Sequence, residues 1–208
     1  GVPTSLNVHM IYYNKAILRE AGLDTEKPPD TVEGLEAYGY RLSQYDSAGR
    51  LTRIGFMPGN PFIWFWNFGG DIYDPATRRF VIDSPENLRA LTWMRSFYDR
   101  YGIDRYRRFT AMFGEYQSPN NPFYTGKIAM REEGQWQISF IQQFAPQMEY
   151  GLFPFPSAAP GRPSQSMVAG SFWVIPTGCA HVKESWEFLH WLILPEQSAR
   201  FAAALYNI

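Results

Sequence analysis

The chain has 208 residues, a length typical of one domain or of one large lobe of a two-lobed protein. Its 19 basic and 20 acidic residues leave a formal net charge of -1, which gives no electrostatic argument for a nucleic-acid or anionic-membrane partner. The single cysteine, Cys179, excludes an internal disulfide and a cysteine-rich zinc site. A multi-histidine metal site would need His9, His181 and His190 to converge.

Aromatic residues are unusually frequent, at 17% of the chain, with 7 Trp, 13 Tyr and 16 Phe. Aromatic side chains bury large apolar areas, so one interpretation is an aromatic core. The other is a carbohydrate site, in which aromatic planes pack on the C–H faces of sugar rings while polar side chains at the rim bind hydroxyls. Composition alone leaves both open.

The first third of the chain alternates extended and helical patterns. Residues 1–13 alternate apolar and polar positions with a period of two, which predicts a strand. Asn14 is placed to cap a short helix that ends at Gly22, and Asp30 or Thr31 is placed to cap the next helix. A short strand is predicted within residues 51–57.

The densest aromatic patch, residues 58–70, follows this strand. Asn60-Pro61 favours a turn into a one- or two-turn helix that stops at Gly69-Gly70. Such a helix is apolar almost all round, so part of it faces a core and part is available to a ligand. Residues 71–81 are predicted to form a small hairpin.

Ser84-Pro85 is a strong helix start, and Gly102 is the matching stop. The apolar positions predict a buried stripe, formed by Leu88, Leu91, Met94, Tyr98 and Tyr101. Residues 102–112 are interpreted as a basic, tyrosine-containing connector whose arginines are solvated.

The stretch from Gly126 to Phe140 is central to the predicted fold and ligand site. It combines a buried strand over residues 127–130, a polar break from Arg131 to Gly134, and a helix that begins near Trp136. A strand that ends in a turn before a helix places side chains at a sheet edge where α/β proteins bind ligands. Trp136 offers a flat apolar face there, although capping the helix from within the core would equally explain it. Two further strands, at residues 150–153 and 167–175, and two helices, at 182–194 and 195–205, complete the pattern.

Catalytic motifs are absent from the sequence. Glu132-Glu133 is the best carboxylate pair, but a glycosidase needs two carboxyls roughly 5–10 Å apart across a sugar, and adjacent residues point apart. The pair is therefore predicted to lie in a solvated turn. Ser139, Ser166 and Ser171 lack a nucleophile-elbow context, and there is no phosphate-binding glycine loop.

Taken in order, several short motifs resemble the extracellular solute-binding proteins of bacterial ABC transporters, in the sugar-binding family that includes maltose-binding protein. The motifs are Gly1-Val2-Pro3, Tyr12-Tyr13-Asn14-Lys15, Ala21-Gly22-Leu23, residues 28–33, Phe68-Gly69-Gly70, residues 123–130, Gly134-Gln135-Trp136, residues 151–156, Gly170-Ser171, Ile175-Pro176 and residues 186–189. Each is weak by itself, and their order covers nearly the whole chain.

The resemblance implies an α/β fold: a type II periplasmic-binding-protein-like lobe with a mixed sheet flanked by helices, within a two-lobed hinge protein. It implies that residues 1–208 are mostly the C-terminal lobe, with residues 1–13 as the crossover strand, and that the first lobe and the final helices are not in this chain. The expected function is non-covalent binding of a sugar or oligosaccharide and its delivery to a permease. The expected protein is monomeric and extracytoplasmic, either periplasmic or a surface lipoprotein. It has no catalytic residue, cofactor, metal or nucleic-acid partner.

The resemblance also implies site residues by position. Trp136 matches the family's stacking aromatic, Gly170 and Ser171 match a small-residue turn, and Asn7 and His9 lie where the crossover strand passes the cleft. The aromatic-polar patch and the hydrogen-bonding residue before Trp136 supply the remaining candidates, which are Asn60, Phe62, Trp64, Trp66 and Gln135. Asn60 stands where maltose-binding protein has an acid, which argues against malto-oligosaccharide while retaining a sugar.

Three alternatives remain at this point. A carbohydrate-active hydrolase would need a facing carboxylate pair in the aromatic cleft. A solute-binding protein for a non-sugar ligand, such as a polyamine, peptide or metal chelate, would have different side chains lining its cleft, for example acidic ones for a polyamine. A plain interaction module would use the aromatics only as core.

Overall fold

The computed structural model describes residues 1–159 and 161–205. A single long strand, β1 (Val2–Asn14), forms the centre of the main sheet. Three later strands pair with it in antiparallel register: β6 (Met130–Gly134), β7 (Tyr150–Phe153) and β8 (Val168–Trp173). The segment before β6 adds an isolated parallel bridge, Ile54 to Ile128, outside these four strands, whose own pairings are all antiparallel.

The remaining strands are short and form two hairpins. β2 (Gln44–Tyr45) pairs with β3 (Leu51–Arg53), and β4 (Tyr73–Asp74) pairs with β5 (Arg79–Phe80). The second is the hairpin predicted for residues 71–81.

Eight helices surround the sheet within the described residues, and most begin at the predicted caps. They are α1 (Lys15–Glu20), α2 (Val32–Arg41), α3 (Pro61–Asn67), α4 (Pro85–Tyr101), α5 (Ile103–Thr110), α6 (Trp136–Phe144), α7 (Val182–Leu192) and α8 (Pro195–Leu205). The side chains of Asn14, Thr31, Asn60 and Ser84 each accept a hydrogen bond from a backbone N–H in the first turn of the helix that follows.

Two predictions about α4 and its surroundings are wrong. Leu88 and Leu91 are exposed, and the buried stripe of α4 is instead formed by Asn87, Ala90, Met94, Phe97 and Tyr101. The basic segment after Gly102 is not a connector but helix α5, which buries Phe109. In α4 the inward face is the apolar stripe of Ala90, Met94, Phe97 and Tyr101, which shares Met94 and Tyr101 with the predicted one.

The core lies between the sheet and helices α1 to α5, and it is strongly aromatic. Trp64, Phe56, Phe97 and Tyr101 are fully buried within it. Edge-to-face contacts such as Phe56–Trp64 and Phe56–Phe97, with centroids 6.1 and 5.9 Å apart, are the favourable geometry for such rings. Much of the aromatic content is therefore core, and only a minority of rings is available to a ligand. Among the described residues, no helix has both the length and the apolar character needed to cross a bilayer.

Candidate functional site

The segment from Arg131 to Gly134 is not a polar break. It forms strand β6, so Glu132 and Glu133 point to opposite faces of the sheet. Neither acid is in a solvated turn, and the prediction for this pair is wrong. Each carboxylate has its own set of partners, and together these partners organise the candidate site.

Glu132 faces α3 and the loop that leads into it. Its Oε1 accepts hydrogen bonds from the Gly59 N–H (3.0 Å) and the Trp64 Nε1–H (2.6 Å), and its Oε2 accepts one from the Asn60 N–H (2.9 Å). Burial raises the pKa of the Glu132 carboxyl to about 7, against the opposing effect of these three donors. The carboxylate thus ties β6 to the start of α3.

Glu133 faces the other way and is buried. It forms an ion pair with Arg131, and it accepts a hydrogen bond from the Tyr116 Oη–H at 2.6 Å. The Arg131 guanidinium also donates to Asn121 Oδ1 (3.0 Å) and lies 5.4 Å from the centre of the Tyr116 ring. The positive charge of Arg131 is therefore neutralised by Glu133 within this cluster.

Trp136, the first residue of α6, is partly exposed and held in a fixed orientation. Its Nε1–H donates to Tyr116 Oη at 2.7 Å, which extends the Glu133–Tyr116 chain of hydrogen bonds by one step. The His9 ring meets the indole edge-on, with centroids 5.3 Å apart and planes at 84°. The indole lies directly over Gly134, where an added Cβ would stand 2.1 Å from the ring.

Two ionisable groups beside Trp136 are kept neutral. Burial lowers the pKa of His9, and the negative charge of Glu133 only partly opposes this effect. Burial also raises the pKa of Tyr116, and the charge of Glu133 adds to the shift. At neutral pH, His9 and Tyr116 therefore present uncharged hydrogen-bonding groups around the indole.

Asn60 and Phe62 reach the same region from α3. Met167 connects Asn60 to the backbone of His9, because its carbonyl accepts the His9 N–H (3.2 Å) and its sulfur lies 3.5 Å from Asn60 Nδ2. Asn60 Oδ1 caps α3 by accepting the Phe62 N–H at 3.0 Å. Phe62 is 41% exposed. We call Trp136, His9, Asn60 and Phe62 the Trp136 surface.

Other predicted site residues have structural roles. Trp64 is fully buried, with its indole in the core and its N–H on Glu132, so it presents no face to a ligand. Trp66 is only partly exposed and packs against the core. Gln135 is buried, and its side chain binds β1 through the Val8 N–H, the Leu6 carbonyl and Asn7 Oδ1 at 2.9, 2.7 and 3.1 Å. The side chains of Asn7 and Gln135 are thus hydrogen-bonded to each other.

Gly170 and Ser171 lie in strand β8 and not in a turn, which corrects the prediction. They pair with Leu6 and Ser5 of β1, and the Ser171 carbonyl accepts a hydrogen bond from Thr4 Oγ1 at 3.0 Å. A Cβ at Gly170 would stand 3.2 Å from the Ser5 carbonyl oxygen. The close approach of the neighbouring strand is sufficient to explain this glycine.

Sequence reasoning missed Tyr116, Arg131, Glu133 and Met167. Tyr116 lies in a loop of polar residues with no periodic pattern, so nothing local marks it. Within residues 1–159 and 161–205, no group of three or more His, Cys, Asp or Glu side chains is arranged to hold a metal ion.

Comparison with known proteins identifies the class. The family model described as bacterial extracellular solute-binding protein matches residues 1–208, so the chain belongs to that family. This membership confirms the resemblance and, with the structural matches, the predicted fold class.

Among solved structures, the chain superposes on "CpMnBP1 with Mannobiose Bound" with a TM-score of 0.91 at 32% identity, covering 100% of this chain and 53% of that one. The maltose/maltodextrin-binding domain MalE from Bdellovibrio bacteriovorus, bound to maltotriose, shares the fold with a TM-score of 0.73 at 17% identity, over 99% and 53% of the two chains. Among curated proteins, the sn-glycerol-3-phosphate-binding periplasmic protein UgpB of Pectobacterium atrosepticum is 28% identical over 96% of this chain and 45% of its own length. The chain thus spans about half the length of these relatives, which are binding proteins and not enzymes.

Proposed function

We propose that this chain is one lobe of the extracytoplasmic substrate-binding component of an ABC transporter, and that its Trp136 surface holds a neutral saccharide. The observation that carries the proposal is the fixed, partly exposed indole of Trp136, bonded to Tyr116 and flanked by a neutral His9. A preoriented aromatic plane with polar groups at its edge suits a sugar ring, which has a C–H face and a rim of hydroxyls.

The electrostatics of the cluster favour a neutral ligand over a phosphate. The relatives named above bind either sugars or sn-glycerol-3-phosphate, so the two classes compete. Beside Trp136 the charged groups are Glu133 and Arg131, which neutralise one another, and His9 is kept uncharged by burial. A phosphate would find no free cation in this cluster, whereas sugar hydroxyls need none.

The domain assignment belongs to the same proposal: residues 1–208 form mostly the second lobe, with residues 1–13 as the strand that crosses from the first. One face of the sheet supports it. Leu6 and Val8 of β1 and Val168, Phe172 and Val174 on and beside β8 are exposed apolar side chains, and the strand register places Leu6 and Val8 beside the others. Such a face is unusual unless other protein covers it. Closure of two lobes on the sugar would shift the population toward the form that the permease recognises.

Calorimetric titration of the complete protein with mannobiose tests the proposal. The Trp136→Ala variant should bind at least tenfold more weakly, because it loses the aromatic plane on which the sugar stacks. By analogy with aromatic pairs, this stacking contributes of order 1 kcal/mol or more to the binding free energy. Trp186→Ala is the matched control, since Trp186 is an exposed tryptophan on α7, and it should leave affinity unchanged. Equal affinity in wild type and Trp136→Ala would remove Trp136 from the site. Preferential binding of sn-glycerol-3-phosphate would contradict a neutral ligand.

A further inference from the structure

The carboxylate of Glu132 is the least expected group in the molecule. It lies in the middle of a sheet strand, faces the apolar side, and accepts three N–H donors from one short stretch of chain, Gly59 to Trp64. No cation pairs with it among the described residues. A partly exposed carboxylate on an apolar face with so specific a donor set needs a physical reason.

We propose that Glu132 is a positioning residue of the ligand site, whose ionised carboxylate clamps the Gly59–Asn60 segment to β6 and thereby sets Asn60 and Phe62 against Trp136. The inference rests on the proposed function, in that Asn60 and Phe62 matter only if the Trp136 surface binds a ligand. Glu132 reaches that surface through the backbone N–H of Asn60.

The geometry supports this role in two steps. First, the Gly59 and Asn60 N–H groups precede α3, so the intrahelical ladder does not bind them, and the two carboxylate oxygens are their partners. Second, β6 ends at Gly134, two residues after Glu132, and Trp136 follows two residues later as the first residue of α6. One side chain therefore couples the two halves of the surface.

The clamp requires the ionised form. All three partners are donors, and a protonated carboxyl would bring a fourth hydrogen to a site whose partners supply none of the acceptors it needs. Burial works in the opposite direction by favouring the neutral acid, and the pKa of about 7 reflects this balance. The clamp is therefore poised to loosen as pH falls through neutrality.

The surrounding charges do not provide another switch for this carboxylate. Glu133, on the opposite face of β6, raises the pKa of Glu132 slightly and is itself paired with Arg131. The 55–60 segment and α3 contain no charged residue, and Ile11 is the β1 residue opposite Glu132. Glu36 bonds to Trp93 Nε1, and Trp93 in turn packs on Trp64. On β1, Tyr12 lies next to Ile11 and burial raises its pKa, whereas burial lowers the pKa of His9 from 6.5.

Amide hydrogen exchange tests the clamp without any ligand. In the complete protein, the protection of the Gly59 and Asn60 amides, corrected for intrinsic rates, should fall at least threefold between pH 8 and pH 6. In Glu132→Gln, which is isosteric and cannot ionise, protection should be low at both values. Glu149→Gln, at an exposed glutamate paired with Arg19, is the control and should behave as wild type at these amides. Equal protection in wild type and Glu132→Gln at pH 8 would overturn the clamp.

Mannobiose affinity then tests the positioning step. A group that titrates near pH 7 is about 90% ionised at pH 8 and about 10% at pH 6, so wild type should bind about tenfold more weakly at pH 6. Glu132→Gln should bind weakly at both values with a flat profile, which a merely structural role would not produce. If exchange responds as expected but affinity does not, the positioning role is wrong. If mannobiose does not bind wild type at all, the proposed ligand is wrong, and the exchange result still decides the clamp.

Discussion

Gly134 is the residue on which the orientation of Trp136 most directly depends. The indole of Trp136 occupies the space that a side chain at position 134 would fill, and the Gly134 carbonyl accepts the Tyr12 Oη–H at 3.0 Å. The glycine is therefore required by a close approach of a ring and not by its backbone conformation. It fixes the strand under the indole while leaving the outer face accessible.

Replacing Gly134 with Ala should displace the ring, because the new Cβ would stand 2.1 Å from it. We expect saccharide affinity to fall at least tenfold, while the indole's displacement limits the loss of stability to about 1–3 kcal/mol. Titration calorimetry and denaturant unfolding of the same variant separate the two effects. Unchanged affinity would show that the ligand does not use this orientation of Trp136.

The acid pair shows where residue-level prediction from sequence failed. Two adjacent glutamates beside a glycine predict a solvated turn, since local sequence offers no reason to bury them. The donors that bind Glu132 come from Gly59, Asn60 and Trp64, and each lies about 70 positions earlier in the chain. Without knowledge of these long-range hydrogen bonds, the two charged residues argue against a buried strand, and β6 is therefore not predicted at Glu132 and Glu133.

At the scale of elements, side-chain caps mark the starts of α1 to α4, and α6 and α7 were predicted although they have no side-chain cap. Asn14, Asn60-Pro61 and Ser84-Pro85 each mark a helix start chemically, and the structure begins a helix at each of them. Helix α5 has no side-chain cap, so no start signal reveals it, although Ile103, Tyr106 and Phe109 recur at helical spacing. Tertiary packing, and not periodicity, stabilises such a helix.

The close contact between α2 and residues 54–57, the segment just after β3, depends on two glycines. A Cβ at Gly55 would stand 2.0 Å from the Gly39 carbonyl oxygen, so backbone meets backbone with no side chain between them. Gly39 lies inside α2, where glycine is intrinsically unfavourable by about 1 kcal/mol, and the close approach of Phe56 and Phe97 explains its presence.

Gly55→Ala should therefore destabilise the protein by about 3 kcal/mol or more, since backbone cannot move aside as a flexible side chain does. Gly49→Ala is a suitable comparison, because Gly49 has open space around it but a φ of +72°. Its cost should be only the roughly 1–2 kcal/mol of a left-handed conformation. Denaturant unfolding measures both, and equal costs would show that the Gly39–Gly55 approach adjusts easily.

At the scale of the whole molecule, β1 holds the sheet together. Its first half pairs with β8, and its second half lies between β6 and β7. The alternation of residues 1–13 predicted this strand correctly, but not its partners, because pairing between strands more than 100 residues apart leaves no local trace. The polar half of the sheet carries the Trp136 surface, and the half shared with β8 carries the exposed apolar face.

Two exposed phenylalanines test whether that apolar face is covered in the complete protein. Phe172 on β8 is 61% exposed here and Phe80 in the β4–β5 hairpin is 77% exposed, so this chain alone predicts a small effect for either replacement. If the rest of the protein packs on β8, Phe172→Ala should cost about 3 kcal/mol or more, as in a core. Phe80→Ala should cost under about 1 kcal/mol, as at a surface. Unfolding of the complete protein in denaturant measures both variants, and equally mild effects would mean that the β8 face remains open to solvent and that the proposed lobe arrangement is wrong.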